Sequence, residues 1–250
     1  MRTLAVIGLT GLPRIQPGDD LAALLVETIE ANKVGLKSGD VVVVCQKVVS
    51  KAEGRVVELA TVTPSSFAVH IARDTAKDAR LVEVVLRQTT RIVRMAGGHL
   101  ICETGPGWVC ANAGIDESNG VAPGTVTLLP EDADASAEQL RAALAKASGT
   151  AVGVIVSDTF GRPWRDGQVD VALGVAGVGA LLDCRGRSDM TGRDLQHTIL
   201  AVADQLAAAA GLLMEKDSGT AAVLVRGFEW RATAGSGRDL IRPAATDLFR

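Results

Sequence analysis

The chain has no tyrosine, four phenylalanines and three tryptophans, so aromatics make up only 3% of its 250 residues. Recognition of RNA or single-stranded DNA by stacked bases needs rings that are scarce here. Basic charge is also lacking in surplus: 26 Lys and Arg stand against 29 Asp and Glu, a formal net charge of −3. That balance gives no electrostatic footprint for nucleic acid. The four cysteines, Cys45, Cys102, Cys110 and Cys184, form no CxxC pair and no Cys/His cluster. Structural zinc and a disulfide scaffold are disfavoured, and the expected compartment is the reducing cytoplasm. The opening MRTLAVIGLTGLPRIQPGDD breaks its short apolar run at Gly8. No run in the chain is long enough for a signal-peptide core or a membrane span.

What is present is aliphatic. Apolar residues are 47% and charged residues 22%, enough for a packed core of Val, Leu, Ile and Ala. Strand patterns are expected at 3–8, 41–45, 55–59, 91–95, 99–103, 108–113, 125–129, 152–157 and 221–226. Helical periods are expected at 20–33, 65–77, 78–88, 136–147 and 197–214, the fourth opened by a capping box of Ser136 and Gln139. Meandering runs such as RIVRMAGGHLICETGPGWVC favour an α+β fold, with mixed and antiparallel sheets packed by helices, over a doubly wound sheet. The expected organisation is one unit over 1–231, with two subdomains allowed by its length, followed by a tail at 232–250 rich in Gly, Ser and Pro.

Three loops carry candidate chemistry. In VGVIVSDTFGRPWRDGQ a buried-type strand ends in Ser157, Asp158 and Thr159, then opens into a Gly/Pro loop with Arg162 and Arg165. A carboxylate and a hydroxyl at a strand's carboxyl end suit a hard cation such as Mg²⁺ or Mn²⁺, and neighbouring arginines suit phosphate or carboxylate. An ordinary Asx-capped turn has equal claim on those residues. ANAGIDESNG holds two of the chain's three asparagines, Asn112 and Asn119, beside Asp116, a second oxygen-rich loop and equally a common turn sequence. In QKVVSKAEGR, Lys47 and Lys51 share one face if the segment is helical, an arrangement suited to an anion or simply to solvent. A P-loop, a GxSxG elbow and an HExxH pair are all missing.

Taken in order, GLPRIQPGDDL, VVSKAEGR, NAGIDESN, SDTFGRPWRDGQVDVALGVAG and AVADQLAAAAGLLM closely resemble the coenzyme F420-0:L-glutamate ligase family. The resemblance runs over nearly the whole chain. It implies GTP-dependent addition of L-glutamate to the lactyl-phosphate side chain of the deazaflavin coenzyme F420-0, and then of further γ-linked glutamates. The implied route is an acyl phosphate, with release of GDP and phosphate. It implies two divalent cations, Mg²⁺ or Mn²⁺, with K⁺, and an intertwined homodimer with a fold peculiar to the family. Carried over residue by residue, Asp116, Asp158 and Thr159 are implied metal ligands. Leu12, Pro13, Arg14, Ile15, Gln46, Lys51, Asn119 and Glu215 are implied GTP contacts, with Gln46 standing where Ser is usual. Arg162 and Arg165 are expected on the substrate's phosphate or carboxylate, with Trp164 near a ligand. The tail resembles the junction to a reductase domain in two-domain bacterial relatives. A non-catalytic GTP- or deazaflavin-binding module and a metal-dependent phosphohydrolase are the rival readings.

Overall fold

Four consecutive valines, 41–44, cannot alternate between core and solvent, and all four are fully buried. They lie in the middle strand of a sheet covered on both faces, the setting that favours such runs. The computed structural model describes residues 1–118, 121–230 and 234–247. In chain order the elements are β1 (Ala5–Leu9), α1 (Leu21–Ala31), β2 (Val41–Cys45), α2 (Gln46–Ala52), β3 (Val56–Glu58), α3 (Ser66–Thr75), α4 (Ala79–Arg87), β4 (Thr89–Ala96), β5 (His99–Thr104), β6 (Val109–Ala111), β7 (Thr125–Thr127), α5 (Ala133–Ser148), β8 (Gly153–Arg162), β9 (Arg165–Ala176), β10 (Leu182–Asp183), β11 (Ile199–Leu200), α6 (Val202–Gly211) and β12 (Ala222–Arg226).

The principal sheet has the order β1-β12-β2-β8-β9, with β2 and β8 parallel and the other neighbours antiparallel. On one face Val42, Val44, Val154, Val156 and Leu224 pack with Leu25 and Ile29 of α1 and Leu140 and Leu144 of α5. On the other, Val41, Val43, Ile155 and Val223 meet Ala203, Leu206, Ala207 and Ala210 of α6. A separate core joins α3 and α4 to the β4-β5-β6 sheet through Ile71, Val82, Val85, Leu100 and Cys102. The β3–β7 ribbon contributes Val126 to this second core. The mixed α+β class is therefore present. Among the described residues no helix is long and apolar enough to cross a membrane.

The sequence pattern and the structure differ in several places. Helix α5 begins at Ala133, capped by Asp132, whose carboxylate accepts from the backbone of Asp134 and Ala135. Ser136 is thus not the cap; it is buried inside the helix, bonding Asp132 O and Glu53. The segment 197–201 is not helical, because Ile199 and Leu200 pair with Asp183 and Leu182. Segment 46–52, conditional on sequence alone, is helical. The largest difference is after Ser157, where a Gly/Pro loop through Arg162 and Arg165 is expected. Strand β8 continues to Arg162 and returns as β9, with Pro163 and left-handed Trp164 (φ 60°) forming the tip. Leu173 is skipped between the pairs Val156–Gly174 and Ser157–Ala172, a β-bulge beside the buried end of the hairpin.

The described part of the tail is packed. Asp134 accepts from Val175 N and Gly237 N, both at 2.8 Å, and from Ser236 Oγ at 2.5 Å. Gly237 lies so close to β9 that a Cβ there would be 2.0 Å from Leu173 O.

Candidate active site

Parallel pairing of β2 and β8 places Cys45 beside Ser157, so the two carboxyl ends open side by side. Asp158 and Thr159 follow on one strand, and α2 starts on the other. Facing them is the loop that leaves β6, where Asn112 and Ala113 adopt left-handed conformations (φ 51° and 53°). Asp116 is fixed there by a two-way backbone pair with Thr127 of β7. Its Oδ1 accepts from Ser118 N at 2.6 Å, and Lys47 Nζ lies 2.5 Å from its Oδ2 and 3.1 Å from Ser118 Oγ. Asp116, Asp158, Thr159, Asn112, Gln168 and Lys216 line one cleft of about 350 Å³.

The charges in this cleft are uneven. Burial, reinforced by the charges of Asp116 and Asp170, pushes the Asp158 carboxyl up to about 7, against the opposing backbone bond from Thr159. Burial also raises Asp170, which accepts from Thr159 Oγ1 at 2.7 Å. For Asp116 burial acts upward as well, but the bonds from Lys47 and Ser118 outweigh it and its carboxyl is lowered. Lys51 is lowered by burial and by the neighbouring Lys47 ammonium. The thiols of Cys45 and Cys110 are pushed up to about 11 and about 12, chiefly by burial, so neither offers a thiolate nucleophile.

Asp116, Asp158 and Thr159 form an oxygen-only donor set suited to a hard divalent cation. Among the described residues no three His, Cys, Asp or Glu side chains gather around one point, so phosphate oxygens and water would complete the coordination. Four buried polar atoms have no hydrogen-bond partner among the described residues: Gln46 Nε2, Asn112 Oδ1, Thr127 Oγ1 and Ser157 Oγ. Asn112 lines this cleft, and the other three adjoin its residues in sequence or pairing without lining it. Gln46 precedes Lys47, Ser157 precedes Asp158, Thr127 pairs with Asp116, and Asn112 lines the wall. An unsatisfied buried polar group costs about 1–3 kcal/mol, and of the four Asn112 Oδ1 is the one whose residue lines the cleft, where a polar ligand would satisfy it.

The structure brings together Asp116, Asp158 and Thr159. Lys51 lies on the same side, close enough to Lys47 and Arg14 to feel both charges, which also brings the loop of Leu12, Pro13, Arg14 and Ile15 near. Gln46 is fully buried, its Oε1 accepting from Ser50 Oγ. Glu215 is exposed and outside the cleft wall; its neighbour Lys216 lines it instead. Arg162 and Arg165 pair across the exposed hairpin tip, away from the cleft wall, and Arg162 bonds the hairpin's own carbonyls at Asp166 and Gly167. Trp164 at that tip is 77% exposed. Asn119 lies outside the described residues. Asp170 was missed by sequence reasoning; the alternation in QVDVA, had the segment been taken as a strand, would have set it opposite Thr159.

Comparison with known proteins follows this geometry. The family model for F420-0:Gamma-glutamyl ligase matches residues 10–227. A Coenzyme F420:L-glutamate ligase of Methanothermobacter thermautotrophicus is 44% identical over 250 residues, covering 99% of both chains. The like-named proteins of Methanopyrus kandleri and Methanocaldococcus jannaschii are 47% and 41% identical, covering 95% and 100% of this chain and 94% and 98% of their own.

Proposed function

The chain belongs to the F420-0:gamma-glutamyl ligase family, and from that premise we propose that it joins L-glutamate to coenzyme F420-0 in a GTP-dependent reaction of coenzyme F420 biosynthesis. The observation that carries the reading is that Asp116, Asp158 and Thr159 line one cleft, with Lys47 bonded to Asp116 beside them. That is a place for cations and phosphate.

The acceptor's carboxylate oxygen attacks the γ-phosphorus of GTP, the bond to the β,γ-bridging oxygen breaks, and GDP leaves. The glutamate amine, having lost a proton, then attacks the acyl carbon and phosphate departs, leaving an amide. Asp116, Asp158 and Thr159 would hold divalent cations, Mg²⁺ or Mn²⁺, two per subunit and joined by K⁺, which would supply charge neutralisation for phosphoryl transfer. Asp170 orients the Thr159 hydroxyl by accepting its hydrogen bond. Lys51 grips phosphate oxygens, the loop of Leu12–Ile15 with Asn119 meets the nucleotide, backed by the buried Gln46, and Arg162 and Arg165 meet the carboxylates of the incoming glutamate. Further γ-linked additions, a family-specific fold and a homodimer belong to the same proposal.

Mass spectrometry after incubation with F420-0, GTP, Mn²⁺ and L-glutamate tests it. The expected result is a product heavier by one or more glutamyl units, with one GDP and one phosphate released per bond. GTP hydrolysis that ignores glutamate would replace the reading with a phosphohydrolase; binding of both partners without turnover would replace it with a binding module.

A further inference from the structure

A second cleft, of about 380 Å³, lies across the Asn112–Gly114 turn from the first. Ala113 lines this cleft, whereas Asn112 and Gly114 line the catalytic one, so a single turn is the partition between them. Resting on the ligase reading above, we infer that the second cleft docks the deazaflavin ring of the acceptor. The side chain then passes over the turn and brings its carboxylate to Asp116 and Asp158.

Three features of the cleft match that ligand. Trp108 is half-buried in its wall, and its indole N–H has no acceptor among the described residues. In a chain with so few rings this is a telling position: Trp230 spends its N–H on Gly39 O, and Trp164 sits at the hairpin tip. Arg55 is a half-buried cation held, among the described residues, by neutral acceptors, Leu129 O at 3.1 Å and Gln88 Oε1 at 3.2 Å. Arg238 is exposed in the same wall and has no ion pair among the described residues. A planar ring stacks on indole, and guanidinium groups suit both ring faces and a phosphodiester.

The acidic groups of the wall do not cancel this. Asp132 is spent on capping α5 and Asp134 on the tail, leaving Glu131 at the rim. The clamp at Asp134 is itself what delivers Arg238, because it seats Ser236 and Gly237 on β9 immediately before it. The packed tail is thus part of the acceptor site.

The test is the binding of F420-0 to the full chain, without nucleotide or metal, followed by the polarisation of deazaflavin fluorescence. Trp108→Ala and Arg238→Ala are each expected to raise Kd about tenfold, in line with the 1–3 kcal/mol that stacking or a charge-assisted contact contributes. Trp108→Phe should recover most of the affinity. In turnover, the same variants should raise KM for F420-0 and leave KM for GTP unchanged. Unaltered Kd in both alanine variants of a chain that still ligates glutamate overturns the inference and leaves the ligase reading intact. A wild-type chain that neither binds F420-0 nor ligates glutamate overturns both.

Discussion

Nζ of Lys47 lies 2.5 Å from Oδ2 of Asp116, tying the first turn of α2 to the loop of the second core. The ammonium is the counter-ion of Asp116 in the metal-free chain, and a cation bound by that carboxylate would compete with it. Removing it leaves a half-buried carboxylate short of a partner. Lys47→Met is expected to destabilise the metal-free chain by about 1–3 kcal/mol. It should also enlarge the rise in melting temperature that Mn²⁺ produces, because binding no longer competes with the ion pair. Thermal melts with and without Mn²⁺ measure both; an equal Mn²⁺ shift in the variant and the wild type would refute the competition.

Asp158 gives stability a pH slope. Its carboxyl is raised in the folded chain to about 7, against about 3.9 unfolded, so between these values the folded state binds more protons. The stabilising contribution of the protonated group is fully present below about pH 4 and is lost as pH rises through about 7. In EDTA, the wild type should therefore lose stability between pH 5 and 8 more steeply than Asp158→Asn, which should be inactive as a ligase. Parallel melting curves across that range would contradict the assignment.

Asp170 holds Thr159 Oγ1 at 2.7 Å without lining the cleft. Partners that orient a metal ligand typically change metal affinity or activity 10–100-fold when removed. Asp170→Ala should raise the Mn²⁺ concentration for half-maximal ligation within about that range and leave saturating turnover much less affected. Activity titrated against Mn²⁺ separates the two quantities.

Gly174 marks the closest approach of helix to sheet. A Cβ there would lie 2.0 Å from Ala133 O, at the start of α5. Gly174→Ala is expected to lower unfolding free energy by about 1–3 kcal/mol or more, read from the urea midpoint. Gly161→Ala, with nothing within 4 Å of the added carbon, should leave that midpoint unchanged.

Elements buried on both faces were legible in sequence, and β2 (Val41–Cys45) matched its expected limits because nothing but apolar residues can occupy such a strand. The β8–β9 hairpin was not, because its outer half leaves the core and Gly161, Pro163 and Gly167 mimic a loop. Asp116 and Asp158 stood out singly as oxygen-rich ends of apolar runs. Their meeting did not, since it depends on the parallel pairing of β2 and β8 and on Thr127 holding the Asp116 loop. Trp108 and Arg238 carried no local signal at all: the tail's clamp on Asp134 is a contact 102 and 103 positions long.

The skipped residue Leu173 bears on how this chain can vary in length. Side chains along a strand alternate, so the bulge sets the phase in which Val171 and Asp170 of β9 come to lie opposite Asp158 and Thr159. An inserted or deleted residue within 153–157 would exchange the faces of Asp158 and Thr159, and one within 171–175 would take Asp170 out of register with Thr159. One added at Pro163 or Trp164 would only lengthen the tip. Insertions and deletions should therefore be accepted at the far end of the hairpin and refused along its buried half.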